Sequence, residues 1–136
     1  MKIIVDTNCI VSALIKDALS RKIINDVPAD FITIQLTGQE LQKYEQEILT
    51  KSGVTKGELN ILLNHLMRRI SVVDDEVVQS RMEDAKKIMD HIDPGDTPFI
   101  AAALATNAAI WSDDKHFEKQ TVVKIFKTSD LLSPIT

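Results

Sequence analysis

One cysteine among 136 residues, four prolines, four glycines and an aromatic share of 4% are thin supplies, and each scarcity excludes something. A single thiol cannot close an intramolecular disulfide, so no cystine framework holds this chain, and a reducing, cytoplasmic setting is the expectation. So little Pro and Gly beside 44% hydrophobic residues excludes a disordered or low-complexity chain. No apolar stretch is long enough to span a bilayer, so no membrane partner is expected. The opening residues enter a strand pattern at once, without the layout of a signal peptide. Positive charge is also short: 16 Lys and Arg stand against 20 Asp and Glu, a net charge of −4. That excludes the strongly basic footprint of a passive nucleic-acid binder. It argues less against an enzyme acting on nucleic acid, because bound cations can supply the positive charge locally.

What is present is an alternation of strand and helix patterns. Strands are predicted at 2–5, 31–34, 70–73, 109–111 and 124–126. A helix is predicted from a Ser20 cap to about Asp26, stopped by Pro28. Thr37-Gly38-Gln39-Glu40 reads as a capping box, followed at helical spacing by Leu41, Tyr44 and Ile48. Thr55-Lys56-Gly57-Glu58 repeats the box and leads into the stripe Leu59, Leu62, Leu63 and Leu66. Val78, Met82, Ala85 and Met89 form a further stripe, and 97–107 is an Ala-rich helix. The stretch 37–69 thus reads as a helical hairpin. Strands separated by helices imply one α/β domain over 1–136, with a parallel sheet of about five strands flanked by helices.

Four acids fall where such a sheet exposes its chemistry. Asp6 follows Ile3-Ile4-Val5, and Asp114 comes shortly after Ala109-Ile110-Trp111 and Ser112. An open parallel sheet binds ligands beyond the C-terminal ends of its strands. Asp96 opens the Ala-rich helix, and Glu40 lies about 40° from Tyr44 on a helical wheel, at the border of the buried face. Carboxylates are the ligands of hard divalent cations, and four of them in one pocket could not all stay ionised without one. Singly, each has a plainer reading: Asp6 and Asp96 as helix caps, Glu40 as part of its capping box, Asp114 as a turn residue. Thr7, Asn8 and Ser112 are candidates to orient the carboxylates. Cys9 reads as a buried thiol, His65 as a helix-surface residue and His91 as a helix C-terminal residue. Lys51, Lys56, Arg68 and Arg69 either touch phosphates or form a solvated face.

The chain resembles the PIN domain family of metal-dependent ribonucleases. The resemblance is carried by Met1 to Asn8, Ser12-Ala13-Leu14, Glu40-Leu41-Gln42-Lys43-Tyr44, Asp93 to Leu104, and Ile110 to Phe117, which together run almost end to end. It implies a Rossmann-like fold and an acidic cluster of Asp6, Glu40, Asp96 and Asp114. It implies Mg²⁺ or Mn²⁺ as cofactor and single-stranded RNA as substrate. It further implies a small antitoxin protein as partner, since many relatives are toxins of toxin–antitoxin pairs, and a homodimer. One departure stands out. Relatives often carry a further Asp two positions after the acid matching Asp114, where this chain has His116, a borderline ligand in place of a hard one. Asp113 is expected to face solvent or to act from outside the cluster.

Two other classes fit the sequence less well. A receiver-like phosphoacceptor needs an acidic pair before its first helix, which is missing. A haloacid-dehalogenase-type phosphatase needs Asp-x-Asp after the first strand, and here the second position is Asn8. A catalytically weak PIN-like module that binds RNA or protein is the remaining alternative.

Overall fold

The computed structural model describes residues 1–15 and 18–132, with the side chain of Ala18 left aside. Five strands form one sheet in the order β3-β2-β1-β4-β5: β1 (Lys2–Val5), β2 (Asp30–Ile34), β3 (Ile70–Val73), β4 (Ala109–Trp111) and β5 (Ile125–Phe126). Every pairing is parallel, with Ile3 opposite Phe31 and Val5 opposite Trp111. The predicted strands are all present, within a residue at their ends.

Alternation along β1 divides the core in two. Ile3 and Val5 point into one layer, packed with Ile10, Leu14, Phe31 and Trp111. Ile4 points into the other, packed with Ile100, Ala101, Ala102 and Met89. A strand buried on both faces is what an all-parallel sheet demands. The first layer takes α1 (Thr7–Ile15), α2 (Ala18–Asp26), α4 (Glu45–Ser52) and α5 (Lys56–Met67), with α9 (Thr128–Leu132) beside α2. The second takes α6 (Asp75–Gln79), α7 (Met82–Met89) and α8 (Thr97–Thr106). The alanines of α8 remove side-chain bulk and let that helix lie close on the sheet. No described helix is long and apolar enough to cross a membrane.

Several expected local features differ. Thr37 is not a helix cap: α3 (Gln35–Lys43) begins two residues earlier, with Ile34 as the extended residue before it. A capping Thr needs non-helical backbone, and Thr37 is already inside the first turn, with its hydroxyl directed into the core. Tyr44 ends α3 and precedes α4, so the stretch before β3 holds three helices, not a hairpin of two. Ser20 lies inside α2, almost fully buried, instead of capping it. The Val78–Met89 stripe is shared between α6 and α7, with a break at Ser80-Arg81. The box at Thr55 and Glu58 forms with both of its reciprocal bonds and starts α5.

Candidate active site

In the strand order β3-β2-β1-β4-β5 the direction of winding reverses beside β1, which opens a crevice between the C-terminal ends of β1 and β4. Asp6 leaves β1 at this point, its N–H still bound to Trp111 O at 3.1 Å. Ser112 leaves β4 opposite it. The Ser112 hydroxyl donates to Asp6 Oδ2 at 2.7 Å and accepts the Asp114 N–H at 3.0 Å. One side chain thereby ties the two strand-end acids together. Asp6 is 5% exposed, and burial raises its carboxyl to a pKa of about 6. The charges of Asp114 and Glu40 push the same way, against the bonds from Ser112 and the Asn8 backbone. The Asn8 bond is the helix-cap role read from sequence, so Asp6 caps α1 and faces the crevice as well.

Asp96 enters from the turn that starts α8. Its side chain makes no capping bond, and its Oδ2 is buried without a hydrogen-bond partner. Burial raises the Asp96 carboxyl to about 7, and the neighbouring charges of Asp93, Asp6 and Asp114 add to that, while His116 lowers it. Asp6, Asp96 and Asp114 thus share one electrostatic site.

Glu40 adjoins them from α3 by a chain of hydroxyls. Thr7 Oγ1 donates to Glu40 Oε1 at 2.8 Å. Its own oxygen lies 2.9 Å from Thr37 Oγ1, which accepts from Thr33 Oγ1 at 3.0 Å. Each hydroxyl has one proton, so the direction is fixed: Thr33 to Thr37 to Thr7 to Glu40. All three threonines are buried. Glu40 therefore ends a donor chain, and this explains why Thr37 faces inward.

Two further residues lie in the crevice: His116, which the sequence offered as a borderline ligand, and Asp93, which it offered only as part of the block carrying the resemblance. Their side chains meet: His116 Nδ1 lies 3.0 Å from Asp93 Oδ2, 3.4 Å from Asp114 Oδ1 and 3.7 Å from Asp96 Oδ2. The available signal for Asp93 was an acid three residues before Asp96 across Pro94-Gly95. Asp113 turns away and accepts from Thr128 N–H and Oγ1 at 2.8 and 2.6 Å. Cys9 is buried, with its thiol donating to Trp111 O, and His65 and His91 are exposed. Lys51 pairs with Glu47 and Lys56 approaches Glu45. Arg68 and Arg69 sit beside Met1 and Asp30, at the N-terminal ends of β1 and β2, away from the C-terminal ends that carry the acids. A mostly apolar groove of about 580 Å³ between α3, α5 and the sheet is separate from the acidic crevice.

The fold and crevice define an α/β protein with an acid-lined switch point. A family model described as the PIN domain matches residues 4–131, and the chain belongs to that family. A search of curated proteins gave no match. Among solved structures, the chain is similar to one from the complex "VapBC2 from Rickettsia felis bound to a DNA fragment from their promoter". The identity is 15% and the TM-score 0.74, over 93% of this chain and 98% of that one. At that identity the likeness establishes the fold.

Proposed function

We propose that this protein is a divalent-metal-dependent endoribonuclease that cleaves single-stranded RNA, the toxin of a toxin–antitoxin pair. The observation that carries the reading is the convergence of Asp6, Asp96 and Asp114 at the β1/β4 crevice, with Glu40 beside Asp6 and with Asp96 Oδ2 buried and unpartnered. The residues fit a cation. Buried carboxylates this close repel one another unless protonated or neutralised by a positive charge, and oxygen donors suit Mg²⁺ or Mn²⁺. Asp6, Glu40, Asp96 and Asp114 are the proposed holders of that ion and the catalytic acids.

A divalent cation held there supplies Lewis acidity: charge stabilisation at a phosphodiester and a water acidic enough to attack at neutral pH. The chain's own groups prepare the place. Ser112 holds Asp6 and Asp114 in one orientation. The threonine chain orients Glu40 by donating to its carboxylate. Burial raises the Asp96 carboxyl to about 7, so it titrates near neutrality in the metal-free cleft, and an arriving positive charge favours its ionised form. With a net charge of −4, substrate affinity rests largely on the ion.

Family membership supports nuclease chemistry and single-stranded RNA as substrate. The likeness to a chain of a VapBC2 complex supports a small antitoxin partner. Homodimerisation and a cytoplasmic setting complete the proposal, the latter resting on the lone buried thiol.

The test is cleavage of end-labelled single-stranded RNA by purified protein with Mn²⁺, with Mg²⁺ and with chelator. Cleavage in metal, none in chelator, and none for Asp6→Asn or Asp96→Asn is the expected pattern. Full cleavage by both variants would overturn the assignment.

A further inference from the structure

Beside the four acids the crevice holds a donor set of mixed chemistry. Asp93 Oδ1 accepts the Gly95 N–H at 2.9 Å, which fixes the carboxylate with Oδ2 towards His116. Gly95 permits this close turn: a Cβ there would stand 3.2 Å from Asp93 Oδ1. On the other side, the His116 N–H donates to Asp114 Oδ1 at 2.9 Å, anchoring the start of the loop that carries the ring. His116 Nδ1 is buried although 43% of the side chain is exposed.

That nitrogen has carboxylate oxygens at 3.0, 3.4 and 3.7 Å and makes a hydrogen bond to none of them. An imidazolium serving as counter-ion would aim its N–H at an oxygen. Asp96 Oδ2 faces it, buried and equally without a hydrogen bond. Donor atoms of Asp93, Asp96 and His116 all lie within 4.8 Å of one another. Ligands about 2.1 Å from one ion stand about 3.0 Å apart when adjacent and about 4.2 Å when opposite. The spacings to His116 Nδ1 fall in that range. Nδ1 thus faces the space between these oxygens, where a ring nitrogen can serve as a ligand.

We infer that Asp93, Asp96 and His116 form a nitrogen–oxygen cation subsite next to Asp6, and that it makes the crevice favour a first-row transition ion such as Mn²⁺ over Mg²⁺. Mg²⁺ takes almost only oxygen ligands, whereas Mn²⁺, though also oxygen-seeking, is a transition ion that accepts an imidazole nitrogen more readily. The inference rests on the metal reading of the crevice and adds Asp93 and His116 to it.

Pulsed electron paramagnetic resonance on the Mn²⁺-loaded protein tests it, with calorimetric titration of Mn²⁺ and Mg²⁺. The wild type should show imidazole ¹⁴N modulation on bound Mn²⁺, and His116→Asp should lose it. The Mn²⁺ preference over Mg²⁺ should shrink about ten-fold in that variant. Bound Mn²⁺ without nitrogen coupling in the wild type would overturn the subsite and leave the carboxylate site standing. Absence of Mn²⁺ binding would overturn both. Nitrogen coupling that persists in His116→Asp would place the ligand at another histidine and overturn the role of His116.

Discussion

The two flanks of the crevice differ in how their polar groups are satisfied. On the Glu40 flank, hydroxyls run without a gap from Thr33 through Thr37 and Thr7 to the carboxylate. On the Asp96 flank, Asp96 Oδ2 and His116 Nδ1 are buried with no hydrogen bond. Buried polar atoms without partners are rare because each costs its lost hydration. The satisfied flank is framework, complete within the protein. On the proposed reading a cation completes the unsatisfied flank, with the surrounding carboxylates as suitable ligands.

The most disruptive test of this contrast removes charge from the unsatisfied flank. Asp96→Asn keeps the shape and loses the charge, so metal-dependent RNA cleavage should fall by more than about 100-fold, as expected for losing a direct ligand where outer groups already cost ten- to a hundred-fold. Circular dichroism should show the fold intact. Cleavage within a few-fold of wild type would show that the orphaned oxygen is not where the ion sits.

The pH dependence of stability tests the same flank together with Asp6. Burial raises the Asp6 and Asp96 carboxyls from 3.8 to about 6 and about 7. Between about pH 4 and pH 7 the metal-free native state keeps protons that the unfolded chain has released, so stability falls as pH rises through that window. For Asp6 alone the change from 3.8 to about 6 is worth about 3 kcal/mol. Melting of the metal-free protein should drop by roughly 10 °C between pH 5 and pH 8. Saturating Mn²⁺ should remove most of that slope, because the ion takes the place of the protons. A flat metal-free profile would show that the two acids do not share a desolvated site.

On the satisfied flank, Thr37→Val breaks the hydroxyl chain in the middle and leaves Thr7 and Thr33 short of a partner. Urea unfolding should report a loss of about 1–3 kcal/mol, with Thr37→Ser close to wild type. Cleavage should fall by about ten-fold, well short of the Asp96→Asn effect, since Glu40 loses orientation and not charge. Smaller still is Asp113→Ala. Its carboxylate serves Thr128 at the start of α9, so stability should drop by about 1 kcal/mol with cleavage unchanged.

The sheet was legible in the sequence because strands such as Ile3-Ile4-Val5 and Ala109-Ile110-Trp111 are short apolar runs, each ending near an acid. Local residue types marked Asp6 and Asp114 as acids following strands, but each acid also had a plainer reading, and their grouping as one cluster came from the family resemblance. α1 was not. Its less buried positions, Asn8, Val11, Ser12 and Ile15, do share one face, but Val11 and Ile15 put apolar side chains there, so the sequence shows little contrast between a wet and a dry face. Thr37 misled because a Thr three residues before a Glu fits a capping box equally well when helix start or tertiary contact places it there; only the packing of Thr7 and Thr33 decides. His116 was flagged by the resemblance, at a position where relatives carry an acid, whereas the meeting of Asp93 with His116 spans 23 positions of sequence and only the tertiary fold shows it.

Thermal unfolding in graded Mn²⁺ tests most directly whether the unsatisfied flank is a cation site. An ion that binds only the native state raises its stability with concentration, by about 2.7 kcal/mol at a hundred times the dissociation constant. The wild-type melting temperature should climb steadily with Mn²⁺ and return with chelator, while Asp96→Asn should show little or none of that climb. A wild-type melting temperature that does not move up to about millimolar Mn²⁺, or an equal climb in Asp96→Asn, would contradict a cation site at Asp96.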